Sequence, residues 1–370
     1  MSTQNIVICS TQYPFYGGGG TLAYKLHKYL LNKGVNSYLY YFINRGETEI
    51  IEQNESLINP YLYKNVRYVK VKSHDKADML RFKNFISNKT IYMINYGIIP
   101  YIPKDFTGTL NYMVVGSPEL TIHDEEATDD ISYIQFMKKK IFKRNPLFKK
   151  SGSINNKKCI HRSDNVYFTT KITKDLYEKL YSRYTDKFSM SYLEYVIYSN
   201  MYAIPPELVY NTVSFNERQF DFIAVSSSWL RYVKNVKFLY NIYSQFPEKK
   251  KIIIGTVNSE YDFTKIPNTI VLPLLTNQEL HEYYLQSKLF ILPSLYENAS
   301  ISILEALHFG CKVLASKNVG MTEILPESII CTDVYDIDEW KYKINNYPDK
   351  IIIQNINMEE IGKLENGMKK

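Results

Sequence analysis

Residues 289–324 read LFILPSLYENASISILEALHFGCKVLASKNVGMTEI. An apolar run closes at Pro293-Ser294, as a buried strand does when it leaves a sheet. A loop follows and carries Glu297. Helical spacing starts near Ser300 and holds Glu305 eight positions after Glu297. Gly310 stops the helix, a strand occupies 312–315, and a second loop carries Gly320 and Glu323. This order places one carboxylate at the carboxyl end of a parallel strand, where open α/β sheets bind ligands. The free N–H groups at the start of the Ser300–Phe309 helix suit an anion such as a diphosphate. Ile301, Leu304, Leu307 and Phe309 around Glu305 predict a partly buried helix. A carboxylate there needs polar partners, and the two hydroxyls of a ribose would supply them. Either glutamate alone reads equally well as a surface residue; the continuous strand–loop–helix–glycine–strand string carries the reading.

The same grammar extends outward from this segment. Residues 5–10 (NIVICS) predict a buried strand, and four glycines at 17–20 predict a break before a helix with Leu22, Leu26, Tyr29 and Leu30 on one face. Gly34 stands where a helix C-cap belongs, and 37–43 is the next strand. Further strands are expected at 90–95, 110–115 and 165–168, and a helix at 174–184. Ile204-Pro205-Pro206-Glu207 suits neither a helix interior nor a strand interior, which puts a domain junction there. The pattern then restarts: strands at 221–225, 251–255 and 289–293, a helix at 234–245, and a capping box, Thr276-Asn277-Gln278-Glu279, opening a helix to 286. The expected architecture is α/β, with two Rossmann-like domains, 1–200 and 201–370, facing each other across a cleft.

The chain has 370 residues, enough for two such domains, and 45% hydrophobic and 22% charged residues, a globular composition. Four scattered cysteines point to a reducing compartment rather than a disulfide scaffold. No apolar run reaches the length of a membrane-spanning helix, and the first residues lack the pattern of a signal peptide, so a cytoplasmic protein is expected. Residues 1–200 carry 28 Lys and Arg against 18 Asp and Glu; residues 201–370 carry 17 against 20. Two halves of opposite charge imply different partners.

The 289–324 segment resembles the Glu-seven-residues-Glu motif of retaining glycosyltransferases of family 4, on the GT-B fold. The words PSLYEN, ILEALHFG and VGMTEI carry the match, with TQYPFYGGGGTLAYKLHKYLLNKGV resembling the family's N-terminal glycine loop and HRSDNVYFTTKITKDLYEKL the end of its acceptor domain. The resemblance covers most of residues 1–325, loosely between 45 and 160. It implies that the second domain binds a nucleoside-diphosphate sugar as substrate, UDP- or GDP-linked, with no cofactor and no metal. Glu305 would hold the ribose, Glu297 the donor sugar, and the backbone at Asn298, Ala299 and Ser300 the sugar and diphosphate. Lys234 matches the family's lysine on the diphosphate. The arginine usual just after the strand is absent, with Ser227 and Ser228 in its place, and Arg231 is the candidate substitute. Gly18 and Gly19 would approach the diphosphate and acceptor, and His123, in LTIHDEE, the reacting sugar. Transfer to an acceptor hydroxyl would retain anomeric configuration.

The acidic cluster at 124–130 has the composition of a metal site but reads as a solvated loop. Asp336-Ile337-Asp338 resembles the metal-binding Asp-any-Asp of other glycosyltransferases, but it lies beyond the donor site and the resembled family needs no metal. Residues 138–162 hold ten Lys and Arg and no acid, after Ile131, Ile134, Met137 and Ile141 at helical spacing. That segment suits an anionic acceptor, a membrane surface where the enzyme would sit peripherally, or the phosphates of a nucleic acid. The acceptor expected first is a lipid-linked or surface glycan. A modified base in DNA is an alternative, and a catalytically inactive sugar-nucleotide-binding protein is another.

Overall fold

The structure, a computed structural model, describes residues 5–11, 18–43, 65–71, 77–115, 150–191, 207–210, 212–257 and 260–353. The first sheet holds β1 (Ile6–Ser10), β2 (Ser37–Ile43), β3 (Val66–Lys70), β4 (Thr90–Met93), β5 (Leu110–Val114), β6 (Asn165–Phe168) and β7 (Phe188–Met190). All its pairings are parallel, in the order β3-β2-β1-β4-β5-β6-β7. A short antiparallel ribbon joins β8 (Glu207–Val209) to β15 (Lys350–Ile352), so the chain at 207 is tied to the end of the second unit. The second sheet holds β9 (Phe220–Ser228), β10 (Lys251–Thr256), β11 (Thr269–Leu272), β12 (Ser287–Leu292), β13 (Lys312–Ser316) and β14 (Ile330–Cys331), again all parallel, in the order β11-β10-β9-β12-β13-β14. Both sheets run outward from their first strand and reverse next to it. Each therefore has a switch point, between β1 and β4 and between β9 and β12, the place where open α/β sheets bind ligands beyond the strands' carboxyl ends.

The helices are α1 (Gly18–Asn32), α2 (Ala77–Ile86), α3 (Lys150–Arg162), α4 (Lys171–Leu180), α5 (Val213–Asn216), α6 (Val236–Ser244), α7 (Asn277–Leu285), α8 (Ile301–His308) and α9 (Ile337–Asn345). α1 begins inside the glycine run, which corrects the expected break across 17–20. Glycine costs about 0.5–1 kcal/mol per position in a helix interior. The buried Leu22, Leu26 and Leu30 each return about 1.5–3 kcal/mol and outweigh that cost. The helix ends as Gly34 predicts: its φ is +75°, its N–H donates to Leu31 O (3.0 Å), and Val35 N–H reaches back to Leu30 O (2.9 Å). α7 carries the expected capping box, with Thr276 and Glu279 bonded reciprocally.

Three other boundaries differ. α4 starts at Lys171 rather than 174 and gives way after Leu180 to a 3₁₀ turn (Ser182–Lys187). Lys234 lies in a 3₁₀ turn (Tyr232–Lys234) before α6, because Asn235 takes a left-handed conformation, φ 54°, and separates the two. Asp336 is the N-cap of α9, its Oδ1 accepting from Asp338 N (3.0 Å) and Glu339 N (3.1 Å). His123, the acidic stretch 124–130, the helical spacing at 131–141, Gly17 and the junction at 201–206 lie outside the described residues. Of the basic segment, 150–162 is α3, where Ile154, Lys157, Lys158 and His161 are exposed. Among the described residues no helix is long and apolar enough to cross a membrane.

Candidate functional site at the second switch point

At the carboxyl ends of the paired β9 and β12, two loops hold each other. Gly255, φ +122°, lies against the β9 backbone so closely that a Cβ would stand 1.7 Å from Ser226 O. The register between β9 and β10 shifts there. Trp229, fully buried, then ties the departing chain down by its N–H to Thr256 O (2.9 Å) and its Nε1 to Ile254 O (3.0 Å). This fixes where the 229–235 turn begins. Its far end is held by Asn235, whose Nδ2 donates to Pro293 O (3.1 Å), and by Leu295 N–H on Val233 O (2.8 Å). The loop after β9 and the loop after β12 are thus cross-linked by backbone and amide bonds.

Lys234 and Glu297 meet at that junction. Lys234 Nζ is ion-paired to Glu297 Oε1, and Ser294 Oγ donates to the same oxygen (3.1 Å). Their side chains are only 13% and 15% exposed, so the pair is largely desolvated. Glu297 is also fixed through its backbone. Its N–H donates to Asn318 O (3.2 Å) and its carbonyl accepts from Gly320 N–H (3.0 Å), a bridge with Val319. The carboxylate therefore sits on a short ladder anchored at both strand ends, β12 and β13.

α8 starts four residues further on, at Ile301. Ser300, its N-cap, makes no capping bond to the helix; its hydroxyl meets Ser302 Oγ (2.8 Å). In the first turn of α8 the Ile303 N–H donates to Ser300 O (3.1 Å), and no Ser300 side-chain bond reaches the Ile301 and Ser302 N–H groups before it. Glu305 is half-buried one turn in, between the buried Leu304 and Ala306. Arg231 opens the turn that carries Lys234, and among the described residues its guanidinium makes no ion pair. Gly18 and Gly19 open α1 after β1, on the other sheet. Lys234, Glu297 and the start of α8 are brought together here, with Glu305 one turn along α8 and Arg231 on the same turn as Lys234.

Sequence reasoning missed the groups that reach this site from the first sheet. Asn298 points away from α8 and into the other unit: its Nδ2 donates to Val114 O (2.9 Å) and Thr169 Oγ1 (3.0 Å), and its Oδ1 accepts from Thr170 Oγ1 (3.0 Å) and Thr173 Oγ1 (2.5 Å). Tyr296 OH adds a bond to Thr173 Oγ1 (2.6 Å). Glu323 Oε1 accepts from Lys171 N (2.5 Å) and Ile172 N (3.2 Å), so it caps α4 from the second unit. The signal was there in part: a threonine directly after a strand and before a helix reads as an N-cap, and Thr170 is the N-cap of α4, but its hydroxyl goes to Asn298 and makes no cap bond.

Burial pushes the Glu323 carboxyl up to about 7, against the N–H groups of Ile172 and Lys171 and the Lys171 charge, which favour the anion; Asp175 opposes it. The pKa is raised on folding, so the proton is bound more tightly in the folded arrangement. The stabilisation is full below about 4.5, the ordinary value, and is lost as pH rises through about 7. Glu323→Gln keeps an acceptor for both N–H groups and removes the titration. The thermal midpoint of the wild-type chain is expected to fall relative to the variant as pH rises across that window. A difference that stays constant with pH would contradict this.

Residues 212–350 match the family model described as "Glycosyl transferases group 1". A stretch of 98 residues, 25% of this chain and 19% of the relative's length, is 29% identical to sulfoquinovosyl transferase SQD2 of Arabidopsis thaliana. Solved structures match nearly end to end. Sucrose-phosphate synthase from Thermosynechococcus elongatus has 11% identity and a TM-score of 0.59, over 99% of both chains. WaaG, a glycosyltransferase involved in lipopolysaccharide biosynthesis, has 12% identity and a TM-score of 0.58, over 98% of this chain and 94% of that one. A trehalose-6-phosphate protein from E. coli bound with UDP-2-fluoro glucose has 12% identity and a TM-score of 0.55, over 99% and 94%. Identities this low speak for fold alone, and the fold they share with this chain is GT-B: two α/β units, each on a parallel sheet.

Proposed function

We propose that this chain is a glycosyltransferase that moves a sugar from a UDP- or GDP-sugar to an acceptor hydroxyl, with retention and without a metal. The observation that carries this is the largely buried Lys234–Glu297 pair at the second switch point, with Glu297 four residues before the start of α8, where the N-cap side chain makes no cap bond. A cation and free N–H groups on one side of a crevice suit a diphosphate; a carboxylate beside them suits sugar hydroxyls. Glu305 then holds the ribose. In the reaction the bond from the anomeric carbon to the diphosphate breaks and a bond to the acceptor oxygen forms on the same face. The acceptor proton passes to the leaving phosphate oxygen. Lys234, Arg231 and the α8 N–H groups stabilise the charge that grows on the departing diphosphate. The remaining work is orientation of the two substrates and exclusion of water.

The exposed basic face of α3, with Lys157, Lys158 and His161, supports an acceptor held at an anionic surface, as in lipid-linked glycan synthesis at a membrane. The donor assignment is tested by thermal shift and calorimetry with UDP and GDP. One of them is expected to bind, and Glu305→Ala to weaken it by about ten- to a hundredfold, the worth of a hydrogen bond to a charged group. Equal binding by the variant would remove Glu305 from the ribose.

A further inference from the structure

We propose that Asn298 is a positioning residue that makes the placement of Glu297 depend on contact between the two units. This rests on the functional reading above and adds to it the point where the first unit acts on the donor site. All four hydrogen-bonding positions of the Asn298 amide are filled, and all four partners belong to the first sheet's unit: Val114 O at the end of β5, and the hydroxyls of Thr169, Thr170 and Thr173 around the start of α4. The amide's orientation is set by chemistry, because Val114 O can only accept and so must face Nδ2. The side chain is buried, so each bond lost leaves a polar group without water.

The residue before it is Glu297. The backbone of Glu297 pairs with the 318–320 loop, and that same loop carries Glu323, whose carboxylate caps α4. Both rails of the ladder that bears Glu297 are therefore held by the first unit, through 169–173 and, for Asn298, also Val114 O. Gly320 shows how close the approach is: a Cβ there would stand 2.4 Å from Thr170 Cγ2. When the units part, Asn298 and Glu323 lose these partners together, and the Glu297 rail loses its outer support. The donor sugar is then gripped only when the units are in contact.

The test uses the full chain with one spin label in each unit. Leu80→Cys and Tyr342→Cys are exposed sites on α2 and α9, and the four native cysteines are buried. Interdomain distances by pulsed electron resonance are expected to be narrow in the parent. They should broaden toward longer values in Asn298→Ala and in Asn298→Asp, which sets a carboxylate oxygen against Val114 O. Thr173→Val makes the same cut from the other unit and covers the case in which the Asn298 variants fold poorly; Thr173→Ser, which keeps the hydroxyl, should restore the parent distances. In the same variants UDP or GDP affinity should be unchanged while sugar-nucleotide turnover falls by about 10²-fold, as misplacement of a reacting group does. Parent-like distances in Asn298→Ala and Thr173→Val would overturn the proposal, and so would nucleotide affinity that falls as far as turnover. A parent chain that binds no nucleotide would overturn the functional reading instead, and the distances would still report on the contact.

Discussion

Lys234→Met is expected to lower turnover of the sugar nucleotide by about 10²–10³-fold, the range for removing one group that stabilises developing charge. It should also destabilise the chain, because Glu297 is left charged, largely buried and without its cation. Breaking one side of such a pair costs about 3 kcal/mol. That corresponds to roughly 6–12 °C of thermal midpoint for a domain of this size. Glu297→Gln should show the mirror effect, with Lys234 stranded. The informative variant is the double one. Replacing both partners by neutral groups removes the uncompensated charge, so the double variant should recover most of the lost stability. It should recover none of the activity. Stability and activity measured side by side therefore separate the pair's structural role from its chemical one. A double variant that remains as unstable as either single would mean that a stranded charge is not what destabilises the single variants.

Gly320→Ala is the second substitution expected to have a large effect. A Cβ at this position would lie 1.8 Å from Asn298 O and 2.4 Å from Thr170 Cγ2. The first of these is backbone on the rail beside Glu297, and the second belongs to the other unit. A methyl group cannot be absorbed by rotating a flexible side chain, so the ladder must open or the units must separate. Overpacking of this kind costs about 1–3 kcal/mol. The effect on chemistry should exceed the effect on stability, because Gly320 N–H is the bond that fixes Glu297 O. Turnover is expected to fall by about 10²-fold, with the thermal midpoint lowered by several degrees. Parent turnover in Gly320→Ala would show that the 297–320 pairing does not govern the site.

Much of this was legible in the chain itself, for identifiable reasons. Strand–helix alternation and the run from Leu289 to Ile324 imply parallel sheets with a loop at each carboxyl end, and the structure has two such sheets of one strand order. The Thr276 capping box and the Gly34 cap were readable because each rests on local chemistry. The boundaries that differed were set by something else. α1 runs into its glycines because its leucine face is buried against the sheet, a tertiary gain that outweighs propensity. α6 starts after Lys234 because Asn235 turns left-handed to reach Pro293, a contact 58 residues away in sequence. β8 and β15 are three residues each, too short for any periodicity to register. At the site, Glu297 was singled out by its place after a strand and Lys234 by the family resemblance, but their pairing was not, since they lie 63 residues apart. Asn298 was expected to serve the donor through its backbone. Nothing in a single sequence shows that its side chain turns to threonines 125 to 129 residues earlier.

The most direct measurement is nucleotide release from UDP-, GDP-, ADP- and CMP-sugars, with Glu305→Ala as the control. Slow release from a UDP- or GDP-sugar is expected of the parent chain, lost in the variant and accelerated once an acceptor is supplied. No release from any donor, with no shift in thermal midpoint on adding one, would contradict it and leave a protein that has kept the fold without the chemistry.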